Sequence, residues 1–383
     1  MVSAKDLASS LSAAPLLERE REVAALSRVI SSCAAGAGGF AVVEAAPGLG
    51  KTRLLAEARE LARRQELQVL YGRAGELEGD FAFGVVRQLF EPLLATSPPE
   101  VRQELYAGPA ALVEPLFSGH DLGQQEQAAA TTFAVLHGLY WLAVNAAARR
   151  PTLIAVDDLH WADSPSLRWL LHMTRRIEAV SLAVVVATRP PERAARDREL
   201  VIELVADPAA EQVRPERLGG ASVAELVRSR YGCDAEAAFV DAVADATGGN
   251  PLFVQALVDT LAREGVDPSG ADVGRILALG GEAVARSVRI RVARLAGAAA
   301  TLARAAAGVG DGAALRDAAA VATLPLGDAA AAADELQQGD LLRAVDPIEF
   351  SHPIVRSAML EMLDAGERAR AHRRAAEVLA ASG

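Results

Sequence analysis

The sequence predicts an α/β fold: a parallel five-stranded sheet flanked by helices, followed by an all-helical subdomain and then a winged-helix unit. Three observations predict it. Short apolar runs alternate with helical stretches up to Gly219-Gly220, the pattern of strands joined by helical crossovers. A glycine-bearing loop joins the first of these runs to a helix and carries one of only two lysines in the 383 residues. Beyond Gly220 the strand-like runs give way to helices alone, until two short extended pieces appear near residue 345.

In chain order, residues 1–15 read as a loose tail. From Leu16 the spacing of Val23, Leu26, Val29 and Ile30 predicts an amphipathic helix, which Gly36-Ala-Gly-Gly39 stops. Phe40–Ala45 is a buried strand, Ala45–Thr52 the loop, and Arg53–Arg64 a helix with Leu54, Leu55, Ala58 and Leu61 on one face. Gln68–Tyr71 is a second strand and Phe81–Leu94 a helix. Pro98, Pro99, Pro109, Pro115 and Gly119 break the next stretch into short helices or a mobile excursion. A long helix over Thr131–Ala148 leads into the strand Pro151–Val156. A helix starts near Pro165, capped by Asp163 or Ser164. Leu182–Ala187 and Val213–Leu218 complete the five strands. Helices follow at Val223–Tyr231, Ala235–Ala246 and Phe253–Arg263, then at about 284–307, 313–320 and 328–339. Leu341–Arg343 and Ile348–Phe350 are the extended pieces, and Ala365–Ala381 is a last helix. The expected units are therefore 16–219, 220–282, 283–364 and a terminal piece at 365–383.

The chemistry begins at Lys51. Every other basic residue except Lys5 is arginine, so position 51 calls for a compact ammonium rather than a planar fork. Strand, glycine loop, Gly50-Lys51-Thr52 and helix together make a phosphate-binding P-loop. Within Pro47-Gly48-Leu49-Gly50-Lys51-Thr52-Arg53, Gly48 and Gly50 let backbone N–H groups close around phosphate, aided by the helix N-terminus. Lys51 would reach the β/γ-phosphates and the Thr52 hydroxyl would ligate magnesium. The loop's first glycine is replaced by Ala45, a residue small enough for the turn.

The strand ending in Asp157-Asp158 matches the strand that delivers a magnesium-holding carboxylate. Asp157 would hold the ion through water. Asp158 either orients or deprotonates an attacking water or is a solvated loop carboxylate. His160 and Trp161 read as packing and positioning residues. Arg189, at the tip of the strand ending in Thr188, either senses the γ-phosphate or caps a strand end.

Composition narrows the classes. The chain is 51% hydrophobic but 4% aromatic, and much of the apolar fraction is alanine, which favours closely packed helices. A net charge of −11 argues against general nucleic-acid binding. Cys33 and Cys233 have no paired spacing, as expected of a reducing cytosol. No charge-free apolar run approaches about 18 residues, so no membrane association and a cytoplasmic location are expected.

Taken in order, the motifs resemble one family. They are Leu16-Leu-Glu-Arg-Glu-Arg-Glu22, Ala45–Thr52, Phe81–Phe90, Val156-Asp-Asp-Leu-His-Trp-Ala-Asp163, Ala187-Thr-Arg-Pro190, Gly248-Gly-Asn-Pro-Leu-Phe253 and Phe350-Ser-His-Pro353. The family is the STAND ATPases with an AAA ATPase domain, specifically the large ATP-binding regulators of the LuxR family (the LAL group). The resemblance implies a nucleotide-binding domain, a helical domain and a winged helix, closed with ADP and self-associating with ATP, under an inducer or protein partner that the sequence does not identify. It implies that Pro251 lies against the adenine end, that His352 approaches the ADP phosphates, and that the Arg19 region lines the base pocket. Glu18 departs from the family's usual glycine, and the chain stops where helical repeats are expected, as in a fragment or a reduced member.

The expected function is an ATP/ADP switch with slow hydrolysis. The alternatives are a fast-turnover P-loop ATPase and a winged-helix DNA-binding regulator. No arginine finger is evident, which disfavours the first. The candidate recognition helix, Asp328–Gly339, carries three acids and no base, which disfavours specific DNA binding by this chain alone.

Overall fold

A computed structural model describes residues 16–75, 81–118, 129–190, 197–276, 288, 291, 292, 295, 297–339, 341–351 and 353–382. Helix α1 (Glu20–Ala34) precedes β1 (Gly39–Glu44), the loop, α2 (Lys51–Arg64) and β2 (Gln68–Arg73). Next come α3 (Gly84–Thr96), α4 (Pro99–Leu105), the single turn α5 (Glu114–Phe117) and α6 (Ala129–Arg149). Then follow β3 (Thr152–Asp157), α7 (Ser164–Thr174), β4 (Leu182–Thr188), α8 (Arg198–Val205) and β5 (Ala210–Val213). The five strands form one parallel sheet in the order β2-β3-β4-β1-β5. The crossover from β1 runs to β2 and that from β4 runs the opposite way to β5, so the crevice for a ligand opens at the carboxyl ends of β1 and β4, beside that of β3.

Period-two alternation divides the sheet's side chains between two layers. Phe40, Val42, Ile154, Val156, Leu182, Val184 and Val186 face one layer, with Phe90, Leu142 and Trp169. Ala41, Val43, Leu153, Ala155, Ala183, Val185 and Ala187 face the other, with Leu26, Ile30, Leu54 and Leu55 of α1 and α2. Every residue of β3 and β4 is buried, as central parallel strands covered on both faces require. Asp163 caps α7 as expected, its Oδ1 accepting from Ser166 N at 2.9 Å. The same buried carboxylate accepts from Phe83 N at 2.8 Å and Val85 N at 3.3 Å. One side chain therefore anchors two helix starts.

The second half is helical: α9 (Gly220–Tyr231), α10 (Ala237–Thr247), α11 (Pro251–Arg263), α12 (Gly297–Val309), α13 (Leu315–Ala322) and α14 (Leu326–Gln338). The antiparallel pair β6 (Leu342–Val345) and β7 (Ile348–Phe350) follows, then α15 (Pro353–Glu361) and α16 (Ala365–Ser382). α12 packs against α13, α14, α15 and α16.

Four sequence expectations shift. The first helix begins at Glu20 rather than Leu16, because Glu18 takes a positive φ of 54°. The fifth strand is Ala210–Val213 rather than 213–218; residues 214–218 are the linker to α9. Two helices, α8 and α15, lie where none was expected. The helix expected over about 284–307 is described in full only from Gly297, and His352 lies outside the described residues.

Candidate functional site: a phosphate loop facing two acidic strand ends

The loop is shaped by two glycines with positive φ, Gly48 at 84° and Gly50 at 93°, where a side chain would be strained. Gly48 also needs to lack a Cβ. One placed there would sit 2.6 Å from Asn250 Oδ1 and 3.2 Å from Arg291 Nη2. Lys51 opens α2 and is only 7% exposed. Its Nζ donates to the carbonyls of Ala45 at 2.7 Å and Ala46 at 3.0 Å. An ammonium has three protons, which leaves one to point at a phosphate oxygen. Burial, and then the nearby Arg189 charge, push the Lys51 pKa down to about 8; a phosphate chain would reverse that shift. Pro47 and Leu49 lie in the loop, with Leu49 buried, and Arg53 lies in the first turn of α2.

Asp157, at the end of β3, is fully buried. Its Oδ1 accepts from Asp158 N at 3.0 Å, while its Oδ2 meets no hydrogen-bond partner among the described residues. Burial and then the Asp158 charge raise its pKa, while a hydrogen bond from Thr52 acts the other way. A buried carboxylate oxygen with no partner, beside the Thr52 hydroxyl, is an oxygen donor set suited to magnesium. That ion is typically held by one or two carboxylates with phosphates and water. Thr52 and Asp157 would hold it, and it would neutralise charge on the phosphates.

The two acids separate by geometry. Asp158 takes a left-handed backbone, φ 51°, which aspartate tolerates. Its Oδ2 accepts from Arg73 Nε at 3.0 Å and Nη2 at 2.9 Å. Arg73 ends β2, the strand beside β3, and pairs in register with Asp157. Next along the chain is the turn Leu159–Trp161, whose His160 stands near Asp158, Lys51 and Arg189, each of which acts on its charge state. Arg189 follows β4, between β3 and β1. The structure thus gathers Lys51, Thr52, Asp157, Asp158 and Arg189 at one end of the sheet.

The helical unit reaches the same loop. Asn250 is fully buried and caps α11, its Oδ1 accepting from Leu252 N at 3.1 Å. Its Nδ2 donates to Pro47 O at 3.2 Å, and Leu252 N donates to Gly48 O at 3.4 Å. Pro251 occupies the first turn of α11. Arg291 stacks over Phe253, 4.7 Å from the ring centroid.

Arg19 is buried and donates to the carbonyls of Glu18, at 2.9 Å, and of Glu216. It lines a cleft of about 590 Å³ beside β5, to which no P-loop residue contributes. The structure therefore does not bring Arg19 together with the loop.

Sequence reasoning missed Asn250, Arg73 and Arg291. Asn250 had a signal, since asparagine directly before a proline at a helix start is a cap pattern. Arg73 and Arg291 had none, because their contacts lie far along the chain.

Residues 15–186 match the family model of the AAA ATPase domain. An uncharacterized protein of Rhizobium meliloti (strain 1021) is 28% identical over 269 residues, which is 63% of this chain and 24% of that protein. The chain thus spans about a quarter of the length of that relative. Among solved structures, the Walker-type ATPase paby2304 of Pyrococcus abyssi aligns with a TM-score of 0.53 and 16% identity, covering 90% of this chain and 96% of that one. A STAND protein with a tetratricopeptide repeat sensor from Pyrococcus horikoshii aligns with a TM-score of 0.36 and 14% identity, over 96% of this chain and 45% of that one. Residues 15–186 thus resemble an AAA ATPase domain, and the fold is that of P-loop NTPases, which implies nucleotide binding.

Proposed function

We propose that the chain is an ATP/ADP-operated signalling switch, the STAND-type ATPase core of a LuxR-type transcriptional regulator, whose slow hydrolysis resets it. One observation carries the reading: the helical unit is hydrogen-bonded directly to the phosphate loop through Asn250–Pro47 and Leu252–Gly48. A change at the phosphates would be felt at once by α11 and by whatever packs on it, as a nucleotide switch requires. The Arg73 grip on Asp158 favours a slow ATPase over a fast one, because a carboxylate engaged elsewhere is a poor partner for water.

In this reading Lys51 and the loop from Pro47 to Arg53 bind ATP or ADP, and Thr52 and Asp157 hold magnesium. Asp158 and Arg189 act on the terminal phosphate. Pro251 lies toward the adenine and His352 contributes to the ADP-bound lock. The nucleotide-binding, helical and winged-helix units span about 16–219, 220–282 and 283–364. The ATP-bound form opens and self-associates. α14 carries Asp328, Asp334 and Glu335 without a base, so this chain alone would not bind DNA specifically.

Calorimetry with magnesium and ATP or ADP tests the binding step. Lys51→Ala removes a charge-assisted contact worth about 1.5–3 kcal/mol, so affinity should fall at least roughly tenfold. An unchanged affinity would end the assignment. Light scattering with ATP against ADP tests the switch, and equal mass and size in both states would reject it.

A further inference from the structure

Arg291 stands where three parts of the molecule meet. A Cβ on Gly48 of the phosphate loop would lie 3.2 Å from its Nη2. Its guanidinium carbon lies 4.7 Å from the centroid of the Phe253 ring, in the first turn of α11. Its Nη1 donates to the carbonyl of Gly339, the residue that caps the end of α14, at 3.3 Å. Two of these neighbours suit a cation. An aromatic face attracts a guanidinium, and the carbonyl end of a helix carries partial negative charge.

The third neighbour is the loop that already holds the buried Lys51 ammonium. Burial and the Arg189 charge lower the Lys51 pKa most, and the Arg291 charge adds to them. Cations from three separate parts of the chain therefore act on one glycine loop. Like charges gathered beside a partly desolvated loop repel. A phosphate chain in the loop turns that repulsion into attraction.

We propose that Arg291 is a positioning residue through which the phosphates of a bound ADP or ATP hold the C-terminal helical unit against the phosphate loop. This inference rests on the nucleotide-binding reading above and names how the bound state would reach α14. In the empty loop, Lys51 and Arg291 push apart across Gly48. With a diphosphate or triphosphate in place, both are drawn toward it, and Arg291 brings the end of α14 along. A ligand that favours the docked arrangement is in turn bound more tightly by it. Removing the Arg291 charge should therefore weaken phosphate binding and also uncouple α14 from it.

The test uses the full chain with magnesium and ADP, and follows affinity by calorimetry and hydrogen exchange at residues 336–339. Arg291→Gln removes the charge and keeps a donor for Gly339. Arg291→Lys keeps the charge and loses the flat stack on Phe253. ADP should slow exchange at 336–339 in the wild-type chain and in Arg291→Lys, and leave it unchanged in Arg291→Gln. Arg291→Gln should bind ADP about fivefold or more weakly, and Arg291→Lys should keep most of the affinity. Wild-type ADP affinity in Arg291→Gln would overturn the proposal. Equal weakening in both variants would also overturn it, returning the guanidinium to a packing role. A wild-type chain that binds ADP with no change at 336–339 would overturn it without recourse to any variant, and would leave the binding reading standing. A wild-type chain that binds no nucleotide would bring down both.

Discussion

The sheet unit and the C-terminal helical unit bury their interiors with different side chains. Around the sheet, Trp169, Phe90, Leu89, Leu139 and Leu142 are almost wholly enclosed, together with valines and isoleucines of the central strands. From α12 onward the interior is largely alanine, including Ala303, Ala305, Ala306, Ala307, Ala318, Ala329 and Ala333. A buried Leu or Phe contributes about 1.5–3 kcal/mol, against about 0.8 kcal/mol for a single buried methyl-sized group. Small side chains let helices approach closely; a Cβ on Gly308 of α12 would stand only 3.3 Å from Ala371 Cβ of α16. The residues that would do chemistry stand on the deeper core. Those that would report on it stand on a shallower one, held by shape more than by area.

The widest contrast should appear in stability. Trp169→Ala empties the centre of the sheet core, and such truncations cost about 3–5 kcal/mol. Its indole N–H has no acceptor among the described residues, so hardly any of that cost is a lost hydrogen bond. In the alanine core the damaging change runs the other way. Ala303→Leu overpacks α12 and should cost about 1–3 kcal/mol. Urea unfolding followed by a probe in each unit should show Trp169→Ala weakening the sheet unit and Ala303→Leu the C-terminal unit. Equal losses seen by both probes would erase the distinction between the cores.

A second contrast is in pH. His160 belongs to the sheet unit, and its folded pKa of about 3 lies below the ordinary 6.5. As pH falls, the unfolded chain takes up this proton first. Stability from the neutral ring is therefore complete above about pH 6.5 and is lost progressively down to about pH 3. The slope is at most about 1.4 kcal/mol per pH unit for one group. His160→Gln should flatten the acid limb of the sheet unit's melting profile and leave that of the C-terminal unit unchanged. The same acid limb in both proteins would mean the ring is solvated and titrates normally.

What the sequence revealed follows the range of the forces involved. β1 to β4, the loop and Asp157 were legible because continuous apolar runs and a local glycine pattern specify them. β5 was misplaced because its Ala-Glu-Gln-Val is short, partly exposed and mostly polar, with no run to read. The site's division of labour was hidden for a different reason. Arg73 meets Asp158 across 85 residues and Asn250 meets Pro47 across 203, so only the folded sheet brings them together.

The tether between the two regions is a smaller effect. Asn250→Ala removes the α11 cap, typically worth about 1 kcal/mol, together with the bond to Pro47 O. Hydrogen exchange at residues 47–50 should quicken in the nucleotide-free chain, and exchange in α12–α14 should stay the same. Unchanged exchange in the loop would show that α11 rests against it without holding it.

The smallest expected effect concerns Glu18, which lines the Arg19 cleft beside β5. Glu18 stands in a left-handed conformation, φ 54°, that glycine adopts without strain and most side chains resist. In compensation its carboxylate accepts from Gly219 N at 2.9 Å, joining the start of α1 to the linker that leads into α9. Glu18→Gly removes about 1 kcal/mol of backbone strain and loses a hydrogen bond of similar worth, so global stability should barely move. Glu18→Ala keeps the strain and loses the bond, and should cost about 1 kcal/mol more than Glu18→Gly. If the carboxylate also fixes the angle between sheet and helical units, Glu18→Gly should widen the scattering-derived size of the nucleotide-free chain at unchanged stability. A chain of wild-type size and wild-type stability would mean that Arg19 and its carbonyl partners hold the linker without help from Glu18.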